Sequence, residues 1–219
     1  MSLQERVSRG EVPDYNQDAA SFAYLYYLSN FSKAAAGCSL VRSTLRRPRI
    51  DDVLSILDLG CGSGASTAAA LLTGLSSGWR QIRICVVDSN QVQLDLARGI
   101  IDRLLPANSL VQVDYRHGDA EETLRSSARR VDLAVCSYLL CELPPEKSGR
   151  IWRALRRGSN PGAYVVVQPG VGIDSATIWT AGQRIGWRYP PGGLDGSFLT
   201  GLGLQHAPKT RSSPPIAAS

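Results

Sequence analysis

Between residues 53 and 168, short apolar segments alternate with segments of helical character. The apolar segments lie near 53–58, 82–88, 110–115, 131–137 and 163–168. The helical segments lie near 65–74, 90–105, 119–127, 146–157 and, beyond the last strand, 174–185. Because this alternation requires a crossover after each strand, it predicts an α/β domain with a doubly wound, mostly parallel sheet. Ligands of such sheets bind at the carboxyl ends of the strands.

The segments on either side of this pattern differ in composition. Residues 18–44 are compatible with helix, and Gly37 predicts a break between two helices. After Gly186 the chain is rich in Gly and Pro and contains a single weak strand candidate near 198–205, so we expect a shortened C-terminal strand pair. Either a homodimer or the segment 186–198 is expected to cover the exposed sheet edge. The tail, 206–219, is expected to be disordered.

The composition restricts the class of protein. The chain has 219 residues, of which 43% are hydrophobic and 20% are charged, as in one soluble globular domain. It contains no apolar run of about 18 residues, which a membrane span needs, and charges occur where a signal peptide would be apolar. We therefore expect a cytoplasmic protein that does not enter membranes. The five cysteines form no C-x-x-C pair and the chain has two histidines, which argues against a metal site.

A glycine-rich segment, ILDLGCGSGAST, joins the first predicted strand to its helix. Its alternate glycines, Gly60, Gly62 and Gly64, allow a sharp turn and the close approach of a ligand, and the following helix presents free N–H groups. The loop also satisfies a relaxed dinucleotide fingerprint, so an NAD-dependent enzyme is one alternative. However, Asp58 stands two residues before the first glycine. Its carboxylate disfavours a pyrophosphate and suits the ammonium of an amino-acid ligand.

Two further acids follow the next strands. Asp88, followed by Ser89, ends the second strand, where a carboxylate can accept both hydroxyls of a ribose. Asp119 and Ala120 follow the third strand, where the carboxylate can accept the amino group of an adenine. The alternative for each acid is a helix N-cap, but acids at three expected strand ends favour a shared ligand.

The segments ILDLGCGSG, VVDSN and GDAEE resemble the successive motifs of class I S-adenosylmethionine-dependent methyltransferases over about residues 50–185. The resemblance implies a Rossmann-like domain, 48–205, that binds S-adenosylmethionine, preceded by an N-terminal helical lid, 1–47. The three glycines would line the methionine part, Asp88 the ribose, and Asp119 with Ala120 the adenine. The cofactor-binding set predicted in full is Asp58, Gly60, Gly62, Gly64, Asp88, Ser89, Asp119, Ala120, Ser137 and Tyr138.

The end of the fourth strand, in the sequence SYLLCELP, carries the candidate catalytic residues. Tyr138 can give an aromatic face to a sulfonium, and Glu142 can bind or deprotonate an amine. The alternatives are that Tyr138 packs the pocket wall and Glu142 caps the next helix. Tyr15, in the entry loop of the N-terminal helix, is the preferred residue for a lid that excludes water.

These residues leave several functions open. The leading hypothesis is methyl transfer to a small molecule, in secondary metabolism, because the chain carries little beyond the core. A second is an enzyme of the azetidine-2-carboxylate synthase type, which resembles methyltransferases and cyclises the cofactor with release of methylthioadenosine. A third rests on the segment from VDLAVC to GQRI, which is similar to methyltransferase-like proteins of small-ribosomal-subunit assembly. Arginine clusters at 46–49 and 153–157 would then contact RNA, although a solvated helix face or loop is the preferred interpretation of these clusters.

Overall fold

The structure is a computed structural model. It describes residues 14–45, 47–105, 109–126, 131–158, 163–169, 175–180 and 183–188, together with residues 5 and 9. Among these residues, no helix combines the length and the apolar character that a membrane-spanning segment requires.

Seven strands form one sheet in the order β3-β2-β1-β4-β5-β6-β7. The strands are β1 (Val53–Leu59), β2 (Gln81–Asp88), β3 (Leu110–His117), β4 (Leu133–Ser137), β5 (Ala163–Pro169), β6 (Ser175–Thr180) and β7 (Gln183–Arg188). The first five are parallel, and β6 and β7 are antiparallel to their neighbours. This arrangement confirms the predicted Rossmann-like, mostly parallel sheet with a C-terminal strand pair.

Helices connect the parallel strands and cover the sheet. They are α1 (Ala19–Val41), α2 (Ala65–Ser76), α3 (Gln91–Leu104), α4 (Ala120–Ser126), α5 (Leu139–Glu142) and α6 (Pro145–Gly158), with a short 3-10 helix at Arg42–Thr44. Successive residues of β1 face opposite sides of the sheet. Leu54 and Ile56 therefore pack into one buried cluster, whereas Leu57 and Leu59 pack into another with Ile151 of α6.

The C-terminal elements differ from the prediction in one respect. The prediction of a helix at 174–185 is wrong, because β6 and β7 lie in this region. Thr177, Ile178 and Trp179 are residue types that favour a pleated sheet, and β6 pairs with the open edge of β5. The weak strand candidate at 198–205, the tail 206–219 and most of the segment 186–198 lie outside the described residues.

Residues 19–41 form one helix, where the sequence predicted two helices within 18–44. The break predicted at Gly37 is wrong, because α1 runs without interruption from Ala19 to Val41. Gly37 is buried within it, as are its neighbours Ala36 and Cys38, and α1 packs along α2. At this position the glycine is buried in the middle of the helix and does not end it.

The strand order fixes where a ligand binds. Chain connections run outward in opposite directions from β1 and β4, so the order of the sheet reverses between them. A crevice opens at the carboxyl ends of strands at such a reversal. The glycine loop after β1 and the segment after β4 both lie there.

Candidate active site

A cavity of about 490 Å³ occupies this crevice. Most of the residues predicted to form the site line it: Tyr15, Gly60, Gly62, Asp88, Ser89, Asp119, Ala120, Ser137, Tyr138 and Glu142. Gly64 and Asp58 do not line the cavity. Gly64 is the N-cap residue of α2. The fold therefore brings together eight of the ten predicted cofactor-binding residues and all three predicted catalytic residues around one cavity.

The three glycines of the loop have the unusual backbone conformation that permits a sharp turn, as their sequence pattern predicted. Gly60, Gly62 and Gly64 have φ angles of +67°, +53° and +87°, in the left-handed region that side chains disfavour. A Cβ on Gly60 would lie 2.9 Å from Cβ of Leu139, and one on Gly64 would lie 3.1 Å from Cα of Ala97. A Cβ on Gly62 would meet no heavy atom within 4 Å. The first and third glycines thus serve packing, whereas Gly62 leaves space in the cavity.

Asp58 lies behind this loop. It is fully buried, and its Oδ2 accepts hydrogen bonds from Ser66 Oγ at 2.8 Å and Thr67 Oγ1 at 2.6 Å. The carboxylate therefore ties the end of β1 to the first turn of α2, which differs from its expected contact with the ammonium of a ligand. Burial raises the pKa of Asp58 to about 6, against the opposing effect of the two hydroxyl donors.

Asp88 connects the end of β2 to the glycine loop. Its two carboxylate oxygens accept the backbone N–H groups of Gly62 and Asn90, each at 2.8 Å. Burial raises the pKa of Asp88, although these N–H donors oppose the shift. Each oxygen retains a further lone pair, and Asp88 lines the cavity, so its ribose contact stays a prediction that this geometry allows.

Asp119 has one of the two roles that the sequence left open, that of a helix N-cap. Its Oδ1 accepts the backbone N–H groups of Glu121 and Glu122 at 2.8 and 3.1 Å, so it caps α4. Its Oδ2 pairs with Lys147 Nζ of α6 at 2.5 Å. This hydrogen bond from Lys147 is the main reason why the pKa of Asp119 is lowered. The adenine contact of Asp119 stays a prediction.

On the opposite wall, Tyr15 and Glu142 are joined. The Tyr15 hydroxyl donates to Glu142 Oε1 at 2.9 Å, and the ring makes an edge contact with Phe22 at a centroid distance of 5.2 Å. The adjacent Asn16 accepts a hydrogen bond from the Asn90 side chain at 3.1 Å. The segment before α1 therefore contacts both α5 and the start of α3, on two sides of the cavity.

Tyr138 differs from its neighbours in backbone conformation. Its φ of +62° makes it the one non-glycine residue with positive φ in the described part of the chain. Such strain costs about 1–3 kcal/mol and persists where the surroundings hold it. Lys33 Nζ lies 4.8 Å from the centroid of the ring. One face of Tyr138 therefore already contacts a protein cation, whereas the expected contact was with a sulfonium.

Sequence reasoning missed Lys33 and Gln93, which both line the cavity. Lys33 is 8% exposed, and burial lowers its pKa to about 8. With Phe22, Tyr26 and Asn30 it forms one stripe of α1 at helical spacing, and this spacing was a usable signal. Gln93 stands on the apolar face of α3, where a polar residue is unusual.

Comparison with known proteins identifies a domain within the chain. The family model described as "Methyltransferase domain" matches residues 56–162, which extend from β1 to the residue before β5. This match agrees with the predicted resemblance to class I S-adenosylmethionine-dependent methyltransferases.

Two proteins illustrate the range of similarity. A trans-aconitate 2-methyltransferase of Azoarcus sp. (strain BH72) is 30% identical over 145 residues, which are 66% of this chain and 48% of the relative. The present chain thus spans about half the length of that protein. The plantazolicin methyltransferase in complex with S-adenosylhomocysteine is 17% identical, with a TM-score of 0.51 over 72% of this chain and 54% of the other. This structural likeness shows the shared fold.

The burial of Asp58 has a measurable consequence. The folded-state pKa of Asp58, about 6, exceeds the ordinary 3.8, so the protonated carboxyl group stabilises the folded protein at low pH. This contribution to the free energy of unfolding is lost as the pH rises from about 4 to 6. In Asp58→Asn the amide oxygen can still accept from Ser66 and Thr67 but does not titrate. We expect the free energy of unfolding of this variant, relative to the wild type, to increase by up to about 3 kcal/mol across that interval. Urea denaturation of both proteins at pH 4 to 7 tests this, and a difference that does not change with pH would contradict it.

Proposed function

We propose that this protein transfers the methyl group of S-adenosylmethionine to a small-molecule acceptor. The observation that carries the proposal is the open space at Gly62, a left-handed glycine that lines the cavity together with Asp88 and Asp119 and at which an added Cβ would meet no described atom within 4 Å. That arrangement suits an extended nucleoside lying against a loop without side chains. The cofactor would supply a methyl group on a positively charged sulfur.

Residues that follow β2, β3 and β4 would contact different parts of the proposed cofactor. Gly118, Asp119 and Ala120 line the part of the cavity beside α4, where an adenine would lie in contact with the Asp119 carboxylate. Asp88 would accept the ribose hydroxyls with its remaining lone pairs. Ser137 has a buried hydroxyl with no hydrogen-bond partner among the described residues, so it offers a donor and an acceptor to a ligand.

Glu142 and Tyr15 stand where an acceptor would meet the methyl group. Partial burial raises the pKa of Glu142, which makes its carboxylate a better base toward an amine or hydroxyl near neutral pH. Burial and the nearby Glu142 carboxylate raise the pKa of Tyr15, so its hydroxyl stays protonated and acts as a donor. Tyr15 would therefore orient Glu142, and Glu142 would take the proton of the acceptor.

A small acceptor fits the dimensions of the cavity. Its volume of about 490 Å³ lies within the usual range of about 300–1,000 Å³ for small-molecule sites. Tyr15 and Glu142, which are hydrogen-bonded to each other, both line the cavity, and the adjacent Asn16 bonds to Asn90. We propose that residues 14–45 act as a lid over the site, as expected for the N-terminal segment. A lid of this kind excludes water and leaves little access for a folded macromolecule.

Incubation of the purified protein with S-adenosylmethionine, with and without acceptor compounds, tests the proposed function. Trans-aconitate, which the name of the Azoarcus relative supplies, is the first acceptor to try, followed by a panel of small amines and acids. Mass spectrometry identifies the nucleoside product. S-adenosylhomocysteine formed only with an acceptor is expected. Methylthioadenosine formed without any acceptor would overturn methyl transfer in favour of cyclisation, and calorimetric binding of a nicotinamide dinucleotide without binding of S-adenosylmethionine would overturn the cofactor assignment.

A further inference from the structure

A buried lysine of α1 borders the cavity. Lys33 is 8% exposed and lines the cavity together with Phe22, Tyr26 and Asn30. These four residues lie on one face of α1, so this helix forms one wall of the site. A lysine is rarely buried this deeply, because removal of an ammonium from water is unfavourable. The wall formed by α1 therefore includes a cation.

The ring of Tyr138 lies against this cation at the cavity. Nζ of Lys33 is 4.8 Å from the centroid of the ring, within the distance of about 6 Å at which a ring face attracts a cation. Tyr138 also lines the cavity. Burial lowers the pKa of Lys33 to about 8, so the ammonium form still predominates near neutral pH. Lys33 therefore supplies a positive charge to this part of the site.

The second lysine at the cavity has a different position. Among the described residues, Lys33 and Lys147 are the basic side chains that line it. Nζ of Lys147 pairs with Oδ2 of Asp119, at the end of the cavity where the adenine of the proposed cofactor would lie. A carboxylate of the protein thus already balances the charge of Lys147.

Lys33 lies on the side of the cavity that we assign to the acceptor. Tyr15, whose hydroxyl donates to Glu142, makes a ring contact with Phe22 on the same face of α1 as Lys33. Tyr138 immediately precedes α5, which has four residues and ends at Glu142. A helix of this length spans about 6 Å. A small molecule can therefore extend from the cation to the proposed base.

The chemistry of this wall selects a class of acceptor. A carboxylate accepts charge-assisted hydrogen bonds from an ammonium, which are stronger than neutral ones. The rings of Phe22 and Tyr26, with centroids 4.7 Å apart, add apolar surface for the body of the same molecule. Resting on the proposed function, we infer that the methyl acceptor is a small carboxylic acid: its carboxylate pairs with Nζ of Lys33, and the group that receives the methyl lies toward Glu142.

Pairs of compounds that differ only in this charge test the inference. Salicylate, succinate and trans-aconitate are each compared with the corresponding amide, which keeps the shape and lacks the charge. Isothermal titration calorimetry measures their binding to the full chain saturated with S-adenosylhomocysteine. We expect the wild type to bind at least one acid about tenfold or more tighter than its amide, as for a hydrogen bond to a charged group. Lys33→Met should abolish this preference and leave the affinities for S-adenosylhomocysteine and methylthioadenosine unchanged.

Lys147→Met is the matched control, because Lys147 also lines the cavity but pairs with Asp119. It should retain the preference for acid over amide. Equal binding of acids and amides by the wild type, or binding of neither, would overturn the inference, and this comparison decides the matter even if Lys33→Met does not fold. A preference for acids that persists in Lys33→Met would also overturn it.

The two nucleosides separate the acceptor from the cofactor. S-adenosylhomocysteine carries a carboxylate of its own, and methylthioadenosine lacks it. A loss of affinity for S-adenosylhomocysteine alone in Lys33→Met would assign Lys33 to the cofactor and overturn the inference. In all these outcomes, binding of S-adenosylhomocysteine by the wild type leaves the proposed function intact. Failure of the wild type to bind that nucleoside would overturn the proposed function and this inference together.

Discussion

Replacement of Gly62 by alanine is expected to abolish binding of the proposed cofactor while the protein stays folded. The φ of +53° at this residue makes any side chain unfavourable by about 1–2 kcal/mol. No protein atom lies within 4 Å of the added Cβ, so folding bears no further penalty. The methyl group would instead occupy the space that a ligand needs. We expect the affinity for S-adenosylhomocysteine to fall by at least about 100-fold, equivalent to about 2.7 kcal/mol, as measured by calorimetry.

Gly64→Ala is the matched control within the same loop. Here the added Cβ would lie 3.1 Å from Cα of Ala97, a backbone atom of α3 that cannot move alone. The φ of +87° adds strain. We expect this variant to lose more stability than Gly62→Ala, with a Tm lower by several degrees, as for a loss of about 1 kcal/mol or more in a domain of this size. Gly62→Ala that binds like the wild type, or that unfolds as easily as Gly64→Ala, would contradict this division of roles.

The central parallel strands of the fold were predictable because they are largely buried on both faces. Such strands are continuous apolar runs, and VLSILDL and QIRICVVD form β1 and β2 almost at the predicted bounds. Each run ends at a residue that begins a helix or a loop, so the order of elements followed from the chain itself. The glycine loop was equally predictable, since three alternate glycines are typical of a backbone with positive φ angles that other residues disfavour.

The elements at the edges of the fold depend on contacts that the sequence does not display. The segment of β6 and β7 has residues that suit either a helix or a strand, and pairing with β5 decides between them. Gly37 is unfavourable in the helix of an isolated peptide, yet α1 continues through it, and the residue is buried within a helix that packs on the rest of the domain. In both cases tertiary structure outweighed local preference.

The site was predictable where a motif defined it and not where burial did. Asp88 and Asp119 follow strand ends at readable positions, and both line the cavity. The Asp58 side chain turns away from the cavity and accepts hydrogen bonds from Ser66 and Thr67. The sequence does not show this orientation. Lys33 and Gln93 are polar residues on otherwise packed helix faces, and only the fold shows that those faces border a cavity.

Tyr15 is expected to have the largest effect of any residue outside the glycine loop. Tyr15→Ala removes the 2.9 Å hydrogen bond from the Tyr15 hydroxyl to Glu142 Oε1. It also removes the edge contact with Phe22, whose ring centroid lies 5.2 Å from that of Tyr15. Water would then reach the acceptor side of the cavity, and Glu142 would lose its fixed orientation. We expect kcat/KM to fall about 100-fold, the scale of a displaced catalytic group. Formation of S-adenosylhomocysteine with an acceptor found in the product assay measures it, and Tyr24→Ala, which alters a residue that is 88% exposed on α1, is the control.

Tyr15→Phe isolates the hydroxyl, because the ring and its contact with Phe22 remain. Partial burial raises the pKa of Glu142, and the hydrogen bond from Tyr15 partly opposes that rise. Without the donor the pKa of Glu142 rises further, so a larger fraction of the carboxyl group is protonated at any pH on the acid side. If Glu142 is the base, the acid limb of the profile of kcat/KM against pH must move to higher pH in Tyr15→Phe. A profile of unchanged shape with a uniformly lower rate would remove Glu142 as the base and leave Tyr15 as a residue that only closes the cavity.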